Sequence, residues 1–590
     1  MRRSLPFSLS LLCFGGLLAT AASAQDRSIA IGKVQGAGER SPLVGREVVV
    51  EGVVTTTPGN GLGGWFLQDA GDGDAATSDA LFVAAGDTPA AGQRVRVRGS
   101  VVELNAGNGT RTALQPTAVT PLGKGRVRSV AIATPPADWE RYENMRVRIA
   151  APLTVAGTHR ADKYGELMVN FGERLRTPSD AVAPGDAARA LAAENARRML
   201  RLDDASDAEQ PASVWYLPST GLPRTGTRLS KVEGVVDQRG GGYRLQLTAK
   251  PAFKRMAPPT APQVGGDVRI ASFNLENFFN GDGQGGGFPT PRGARNPTEL
   301  EGQLARLVAT IRGLNPDIAA LMEVENDGFG PESAIAALVD ALNGGVNADT
   351  SVGSVIEMLN AGGGDWRAIV TDADQGRDQI RVGLIYRASR VSPVGTASTL
   401  TDDLFGTRNR PPLAQTFRAG VGASPGPAFT VVANHFKSKG CGSASGADAD
   451  QKDGQSCWNA TRTESARRLD AWLRTDPTRS GSDLAMIVGD LNAYSMEDPI
   501  TTLTAAGWRD AFAGQRGLVP YSYVYEGLTG RLDHALLSPA LAARLVGAAE
   551  WHSNADEPDS RGYQTRPGER TPWRSSDHDP LVVGFRLQKP

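Results

Sequence analysis

The residue pair Asp577-His578, close to the end of the chain, has the composition of a proton-transfer site. It stands between a polar turn, Arg574–Ser576, and an apolar run, Leu581–Phe585. A strand over the apolar run would hold the pair rigidly, and the turn would leave it open to solvent. A histidine suits proton transfer because its unperturbed pKa lies near neutrality. The same pattern also occurs in ordinary polar turns, so the interpretation depends on suitable partners elsewhere in the chain.

Two further apolar runs end in oxygen-bearing side chains. The run 268–273 predicts a buried strand that delivers Asn274, and the run 317–322 predicts another that delivers Glu323. Amide and carboxylate oxygens are hard ligands that suit Mg²⁺, Mn²⁺ or Ca²⁺. Each residue taken alone has a structural explanation as well, and only the combination indicates a metal site.

A third group of polar residues follows two more predicted strands. The run 431–433 leads into Asn434 and His435, and Lys437 and Lys439 lie just beyond it, where their ammonium groups could hold phosphate oxygens. The run 484–489 leads into Asp490 and Asn492, which alternate on one face and could reach one phosphate. Asp533 begins a further strand. We interpret His159, His534 and His552 as structural or surface residues.

Six short motifs occur in the order and approximate spacing of the endonuclease/exonuclease/phosphatase superfamily, which includes deoxyribonuclease-I-like enzymes. The resemblance covers 267–588 and rests on Phe273-Asn274, Leu321–Val324, Asn434-His435, Gly489–Asn492, Leu532–His534 and Ser576–His578. The loop between Cys441 and Cys457, together with the β-rich region before residue 257, is similar to the secreted bacterial branch of ExeM-type extracellular nucleases. The resemblance implies an α/β fold, a four-layer αββα sandwich whose site lies where two sheets meet.

The resemblance also implies a role for each matched residue. Glu323 would hold the metal, Mg²⁺ or Mn²⁺ with Ca²⁺ as an alternative, aided by Asn274 and Asp577. His578 would be paired with Asp533. The remaining roles would be water and phosphate orientation by Asp490 and Asn492, proton donation or phosphate binding by His435, and substrate contacts by Asn434, Lys437, Lys439 and Arg381.

One departure from the family pattern concerns the first histidine of the site. In deoxyribonuclease-I-like members a glutamate on the strand before Leu-Tyr-Arg supports that histidine. Ile380 stands at the matching place here, before Leu384–Arg387. Asp378 or Arg381 could substitute for the glutamate. The resemblance therefore supports an acid role for His435 less firmly than one for His578.

Residues 1–24 have the pattern of a cleaved export signal. Arg2 and Arg3 precede a short apolar segment, and Ala22–Ala24 is a small-residue cleavage site, so the mature protein should begin at Gln25. The apolar segment is short for a bilayer span, and no later run reaches about 18 apolar residues. The sequence predicts a secreted protein, extracellular or periplasmic.

The rest of the chain divides by composition. Short strand-like runs predict a β-module over 27–128 that resembles an oligonucleotide/oligosaccharide-binding (OB) barrel, with a generic β-module as the alternative. Residues 129–256 predict a second OB-like module with a helical insertion at 181–203, and both modules contain Glu-Gly-Val-Val, at 51–54 and 233–236. A proline-rich linker, 257–266, leads to the catalytic region 267–588.

Two cysteines remain once Cys13 leaves with the signal. Cys441 and Cys457 flank a polar, glycine-rich loop that cannot bury enough apolar surface to order itself. In an oxidising compartment an even pair predicts a disulfide, which would stabilise the fold by roughly 3 kcal/mol. Two free thiols are the alternative.

Composition limits the functions that remain. With 63 basic and 64 acidic residues the net charge is −1, so no global basic field attracts polyanions. Together the patterns predict a secreted, metal-dependent nuclease, endonucleolytic on extracellular DNA, with RNA as a second substrate. The alternatives are a phosphoesterase of the same fold acting on nucleotides, inositol phosphates or phospholipid head groups, and a non-catalytic DNA-binding protein or adhesin. Neither a membrane nor an obligate protein partner is expected.

Overall fold

The computed structural model describes residues 27–56, 61–84, 88–344, 364–420, 426–514 and 519–587. The predicted signal sequence, 1–24, lies outside these described residues. Residue contacts divide the chain into two compact units. The first unit consists of Met1–Val130, Asp138–Val147 and Val235–Tyr243, and the second of Ala131–Ala137, Arg148–Gly234 and Arg244–Pro590. This division differs from the sequence-based one, because most of 129–256 belongs to the same unit as the predicted catalytic region.

The first unit contains a five-stranded barrel, closed in the order β1-β2-β3-β5-β4. Its elements are helix α1 (Ile31–Gln35) and the strands β1 (Glu47–Thr56), β2 (Gly64–Gln68), β3 (Ala80–Ala84), β4 (Gln93–Asn105) and β5 (Thr110–Lys124). Val50, Trp65, Leu67, Val83 and Val97 fill its interior. Short runs rich in β-branched and aromatic residues predicted β1 to β4, whereas β5 was not predicted. The assignment of the barrel to the OB type stays a prediction.

The region from 130 to 256 is also β-rich. Its strands are β6 (Val130–Ile132), β7 (Arg146–Ile149), β8 (Leu153–Gly157), β9 (Leu167–Phe171), β10 (Leu175–Arg176), β11 (Met199–Asp203), β12 (Arg228–Ser230), β13 (Val232–Arg239), β14 (Gly242–Leu247) and β15 (Ala252–Phe253). Its helices are α2 (Ala161–Tyr164), α3 (Pro178–Ala181) and α4 (Asp186–Arg198). The predicted helical insertion is present as α4, but it stops at Arg198. The next residues instead pair with β9 as strand β11, because Leu200 and Leu202 alternate toward a buried face.

Two six-stranded sheets form the C-terminal region. The first has the order β18-β19-β17-β16-β29-β28 and the second the order β20-β21-β22-β23-β27-β24. The first sheet contains β16 (Val268–Phe278), β17 (Ile318–Glu325), β18 (Trp366–Ala368), β19 (Ile380–Arg387), β28 (Leu545–Glu550) and β29 (Leu581–Phe585). The second contains β20 (Val391–Thr399), β21 (Leu413–Ala419), β22 (Ala428–His435), β23 (Ala485–Asp490), β24 (Arg509–Asp510) and β27 (Asp533–Leu537).

These sheets pack as the two inner layers of a four-layer sandwich. Ile270 and Met322 of the first sheet share a core with Val431 and Val488 of the second. The outer layers are helices whose apolar faces cover the sheets, packing with Phe273 on one side and Ile487 on the other. They are α5 (Pro297–Leu314), α6 (Ala334–Leu342), α7 (Asn459–Leu473) and α8 (Asp498–Ala505). The short α9 (Pro539–Ala542) instead contributes Leu541 to the core that the two sheets share. The predicted αββα architecture is confirmed.

A small third sheet contains a strand from outside the sandwich. Strand β25 (Tyr523–Tyr525) pairs with β26 (Leu528–Gly530) as a hairpin, and β26 pairs in parallel with β10. Residues 175–176 are thus hydrogen-bonded to a hairpin that lies about 350 residues further along the chain.

The sequence Thr298–Glu301 predicts a capping box, but helix α5 begins earlier, at Pro297. The cap is Asn296, whose side chain accepts a hydrogen bond from the Glu299 backbone N–H at 3.0 Å. Pro297 fits the first helical position, because the N–H that it lacks would have no partner there. Asn315-Pro316 in the sequence predicts the helix end, and Asn315 does end the helix, with φ 49°. Among the described helices, none is long and apolar enough to cross a bilayer.

Candidate active site

The two sheets present their polar strand ends at one place. Strands β16 and β17 are parallel, with Asn274 beside Met322, and β22 and β23 are parallel, with His435 beside Asp490. Parallel strands carry their carboxyl ends to the same edge, so residues far apart in sequence arrive together. Antiparallel β27 then sets Asp533 opposite Asp490.

The Gly489 position requires glycine. Its φ is 135°, and a Cβ there would lie 2.1 Å from the Asn434 carbonyl oxygen. Any side chain would therefore separate the two central strands immediately before Asp490. The glycine in the predicted motif thus positions the acid through backbone packing.

Asp490 stands at the centre of the cluster. Its Oδ2 lies 3.2 Å from Asn274 Nδ2, 3.6 Å from His435 Nε2 and 3.9 Å from His578 Nε2. Glu323 Oε1 lies 3.3 Å from the same Asn274 amide and 3.9 Å from His435 Nε2. Five residues predicted from five separate motifs therefore form one continuous set of contacts.

His578 is held as a charged imidazole. Its Nδ1 is 2.7 Å from Asp533 Oδ2, and the Tyr523 ring packs on it at a centroid distance of 4.6 Å. Burial opposes its protonation, but the carboxylates of Asp533, Asp577 and Asp490 outweigh that effect and raise the pKa of His578 well above its usual range. His578 can therefore carry a proton at neutral pH.

His435 has the opposite character. It is 2% exposed, its Nδ1 has no hydrogen-bond partner, and burial lowers its pKa well below the usual range, with further lowering by Arg410 and His578. The glutamate expected to support it is replaced by Ile380, and neither suggested substitute reaches it. Asp378 pairs with Arg410 at 3.0 Å instead. The lowered pKa favours the neutral imidazole, which suits the phosphate-binding alternative predicted for His435 better than proton donation.

The site also gathers carboxylates that repel one another. Burial raises the pKa of Glu323, and the nearby charge of Asp577 raises it further. Burial likewise raises the pKa of Asp490, and Asp533 and Glu323 add to that shift against His578. Buried, crowded oxygen donors of this kind fit a divalent cation, which would relieve their repulsion.

Asn274 differs from its predicted part in such a centre. Its Nδ2 points at Glu323 and Asp490, and its Oδ1 accepts the Glu276 backbone N–H at 3.0 Å. As placed, Asn274 orients the carboxylates and offers no oxygen to a cation. Glu323 and Asp577 are the residues that would hold a metal. The group that brings three ligand atoms within 4.8 Å among the described residues is Asp490, Asp533 and His578, in which His578 is already bonded to Asp533.

Several site residues hold backbone conformations that are unusual for non-glycine residues. Positive φ occurs at Glu276 (53°), Asn277 (56°), Glu323 (62°), Asn492 (47°) and Arg574 (54°). Such conformations are costly and concentrate at functional sites. Here they aim Glu323 so that its Oε2 accepts the Asn277 backbone N–H at 2.9 Å.

Three of the four predicted substrate contacts, and also Asn492, have other partners. Lys439 Nζ binds Glu497 Oε1 at 2.7 Å, and Arg381 is 1% exposed and donates to the carbonyls of Glu325 and Gly328. Asn434 is fully buried and donates to Val432 O at 2.8 Å. Asn492, expected to orient the substrate, donates to Phe436 O at 3.1 Å. Because burial and these bonds occupy their donors, the roles predicted for Lys439, Arg381 and Asn434 do not fit their positions.

Lys437 keeps a position suited to an anion, and it has two arginine neighbours that the sequence analysis missed. Its ammonium lies over the Trp458 ring at 5.1 Å. Arg292 and Arg410 share the carboxylate of Asp378, at 3.5 and 3.0 Å. All three cations lower the pKa of His435, so they lie on its side of the site. We call Arg292, Arg410 and Lys437 the basic cluster.

The cysteine pair is bonded as predicted. Cys441 and Cys457 form a disulfide. Beside it the buried Arg462 guanidinium donates to Lys437 O at 3.2 Å, Cys457 O at 2.9 Å and Gln455 O at 3.1 Å. The loop after His435 is therefore fixed to helix α7 and holds Lys437 beside the site.

Comparison with known proteins agrees with this geometry. The sequence profile of the Endonuclease/Exonuclease/phosphatase family matches residues 271–578, and the profile of a domain of unknown function matches 115–257. No curated protein sequence matches the chain.

Solved structures of several hydrolases are similar to the chain at low identity. The human Nocturnin catalytic domain is 16% identical, covering 55% of this chain and 97% of that one, with a TM-score of 0.34. A mannosyl-6-phosphatase from Bacteroides thetaiotaomicron is 14% identical, covering 54% and 99%, with a TM-score of 0.34. TDP2 from C. elegans is 13% identical, covering 54% and 75%, with a TM-score of 0.32.

Proposed function

The chain belongs to the endonuclease/exonuclease/phosphatase family, and we propose that within this family of hydrolases it is a secreted, divalent-metal-dependent nuclease that cleaves DNA phosphodiesters internally. The observation that carries the proposal is the position of Asp490 between His435 and His578, 3.6 and 3.9 Å from their Nε2 atoms, with the carboxylates of Glu323 and Asp577 nearby. Such a set can take a proton on one side of a phosphorus and give one on the other.

Each site residue has a separate role in the hydrolysis. Asp490 accepts the proton of the attacking water as that oxygen bonds to phosphorus. The bond from phosphorus to the leaving oxygen breaks, and His578 Nε2 gives its proton to that oxygen. Asp533 keeps His578 charged and oriented through the 2.7 Å contact with Nδ1. His435, neutral and 3.6 Å from Asp490, can hold a phosphoryl oxygen only as an uncharged donor.

Enzymes of this family are generally divalent-metal dependent. A bound Mg²⁺, Mn²⁺ or Ca²⁺ would supply charge stabilisation at the phosphoryl oxygens. Glu323 and Asp577 would hold the ion, and Asn274 bridges Glu323 and Asp490 by donating to both.

The basic cluster supports a polyanionic substrate. Arg292, Arg410 and Lys437 offer three cations against the one carboxylate of Asp378. A chain of phosphates running past His435 would meet this surplus charge, although the whole protein has a net charge of only −1. Because most of the molecule is not basic, capture would be local to the site.

A cleavage assay tests the proposal. Supercoiled plasmid DNA, a single-stranded RNA and para-nitrophenyl phosphate are offered separately with Mg²⁺, Mn²⁺ or Ca²⁺, beside Asp490→Asn as the inactive control. We expect plasmid nicking that the variant lacks. Hydrolysis of para-nitrophenyl phosphate alone would indicate a phosphatase of the same fold instead of a nuclease. Equal results for wild type and variant on every substrate would leave a non-catalytic nucleic-acid-binding protein or adhesin.

Export is tested separately. The signal-like segment at 1–24 and the disulfide both support an oxidising, extracytoplasmic location. N-terminal sequencing of protein released by the producing cell should begin at Gln25. Recovery of the full-length chain inside the cell would contradict secretion and leave the chemistry untouched.

A further inference from the structure

A cavity of about 970 Å³ opens beside Asp577 and Glu276. One wall comes from the loop and helix that follow strand β8, and it includes Thr158, His159 and Lys163. The other comes from the hairpin β25–β26 and from the loop after β28, and it includes Tyr525 and Tyr563. The volume lies within the range of small-molecule sites, and both walls belong to the second unit.

The hairpin wall is fixed to the region before the sandwich. Parallel pairing with β10 extends the hairpin, and Thr177 N donates to Thr529 O at 2.8 Å. At the hairpin turn, Gly527 has φ 78°, and a Cβ there would meet Met199 at 2.6 Å and Ala156 at 3.0 Å. The turn is therefore packed directly on strands β8 and β11.

The loop wall is fixed by paired charges. Arg174 donates to both oxygens of Asp556, at 2.8 and 2.7 Å, and Arg224 reaches His552 O at 2.7 Å and Glu557 at 2.9 Å. The same loop holds the reacting end of the site, because Asn554 Nδ2 donates to His578 O at 2.7 Å. The cavity and the catalytic histidine thus share one framework.

The lining is unsuited to another phosphate. Its acidic side chains outnumber its basic ones. Arg574 is bound to Glu276 at 2.7 Å and to Asp559 at 2.9 Å, and His159 faces Glu526 at 3.7 Å. A phosphate dianion placed here would meet repulsion with few free cations to offset it.

The lining does suit a planar, uncharged, polar group. Tyr525 is 61% exposed, an uncommon state for a large aromatic ring, and Tyr563 and the hydroxyls of Thr158 and Ser560 line the same space. Exposed aromatic rings stack on nucleobases, and hydroxyls hydrogen-bond base edges and sugars. The basic cluster, by contrast, lies on the His435 side of Asp490.

We propose that this cavity binds the nucleoside next to the scissile phosphate, with its base on Tyr525, so that residues 157–163 help select a nucleotide substrate. The inference rests on the proposed phosphodiesterase function and names the substrate group that the site would recognise. It makes the region before the sandwich part of the active site.

Two chromogenic diesters with one leaving group test the proposal. Thymidine 5′-(para-nitrophenyl phosphate), with its 3′ isomer as a second arm, is compared with methyl para-nitrophenyl phosphate in wild type, Tyr525→Ala, Tyr525→Phe and His159→Ala. Trp215→Ala removes a ring that is 46% exposed elsewhere and serves as the matched control. Because Tyr525 is exposed, its replacement should leave folding intact.

We expect wild type to prefer a thymidine ester, and Tyr525→Ala to raise the KM for that ester by roughly 5- to 100-fold with little change for the methyl ester. Tyr525→Phe should keep the preference, His159→Ala should weaken it, and Trp215→Ala should leave it unchanged. The inference would be overturned if Tyr525→Ala weakened hydrolysis of both esters equally, or if wild type showed no preference for the thymidine ester. Neither result would contradict the proposed hydrolase activity. Plasmid nicking by wild type without cleavage of either ester would also overturn the inference, whereas failure on plasmid DNA as well would overturn the proposed function itself.

Discussion

Two buried charged regions of the second unit are built on opposite plans. In the region between 174–224 and 552–557, each acid faces a guanidinium, as in the bidentate contact of Arg174 with Asp556. In the site cluster, Glu323, Asp490 and Asp577 lie near one another, and the charged partner they share is His578. The first region binds two parts of the chain together. The second has an excess of negative charge, which a bound cation would offset.

The difference separates stability from chemistry. A buried acid with its own guanidinium is costly to break, because removing one partner strands the other. A buried acid among other acids destabilises the fold by itself, and its persistence indicates a functional use. Mutations in the two regions should therefore move different measurements, and the following tests depend on that separation.

Chelation should produce the largest change. Dialysis against EDTA should reduce hydrolysis to background, because the phosphoryl oxygens lose the cation that would stabilise their developing charge. Added Mg²⁺ or Mn²⁺ should restore the rate. The circular dichroism spectrum of the chelated protein should keep its β-sheet signal. Loss of that signal would show that the site stabilises the fold, as the charge-paired region does. Full activity in EDTA would contradict a metal-dependent site.

Replacement of the proton donor comes next. His578→Asn should lower kcat by about 10²- to 10⁴-fold, because the leaving oxygen loses its general acid. His552→Asn is the matched control, since His552 also binds an aspartate, Asp579, at 2.8 Å but does not touch Asp490. Rates on plasmid DNA and thermal unfolding should be recorded for both. If both variants lost kcat to a similar extent, the site cluster and the charge-paired region would not differ in their effect on catalysis.

The charge-paired region should respond in stability. Arg174→Ala should lower the free energy of unfolding by about 3 kcal/mol, near the lower end for a broken buried pair, because Arg224 lies 3.7 Å from Asp556 and compensates in part. Arg197→Ala removes the exposed pair with Glu194 on α4 and should cost about 1 kcal/mol or less. Urea unfolding measures both. Equal costs would show that the buried contact has no special weight.

Removing a site carboxylate should have a smaller effect, and one of opposite sign. Burial and Asp577 raise the pKa of Glu323, so its ionised form opposes folding at neutral pH, and Glu323→Gln should raise the Tm of the metal-free protein by about 1–3 °C. With Mg²⁺ in excess the order should reverse, because only wild type gains binding energy. A variant less stable than wild type in EDTA would argue that Glu323 is structurally paired.

The smallest predicted effect concerns pH. Burial opposes protonation of His552, but Asp579 outweighs it and raises the pKa of His552. That contribution is fully present below the unfolded pKa of about 6.5 and is lost as pH rises through the higher folded value. The Tm difference between wild type and His552→Gln should therefore shrink from pH 6 toward alkaline pH. If the Tm difference stays constant with pH, the stabilisation by His552 comes from stacking of its ring on Tyr521, at a centroid distance of 3.9 Å.

The family resemblance implied the four-layer sandwich, and local apolar runs in the sequence marked the strand ends that carry most of the cluster. Asp490 and Glu323 follow buried runs. Parallel pairing within each sheet carries Glu323 to the same edge as Asn274 and Asp490 to the same edge as His435, and packing of the two sheets brings these edges together. Asn296 as the cap of α5 was missed, because the nearby Thr298 offered a competing signal. The left-handed backbone at Glu323 and Arg574 was also beyond prediction, since neither is a glycine.

Long-range side-chain partners account for the other differences. Lys439 follows His435 closely, yet Glu497 from another loop engages it. Arg292 and Arg410 precede no recognisable motif, and Asp378 places them beside His435 from outside the strands. Contacts of this kind depend on the folded chain, because nothing in the local pattern marks either partner.

The two-residue strand β10 has a consequence for any attempt to use the sandwich alone. A polypeptide trimmed to begin at residue 267 would expose the open edge of the β25–β26 hairpin and strip Asp556 of the Arg174 guanidinium. The hairpin carries Tyr523 against His578, so trimming would loosen the catalytic imidazole as well. The sandwich is therefore not an independent domain that can be moved to another protein by itself. Domain grafting should carry residues 148–257 along with it.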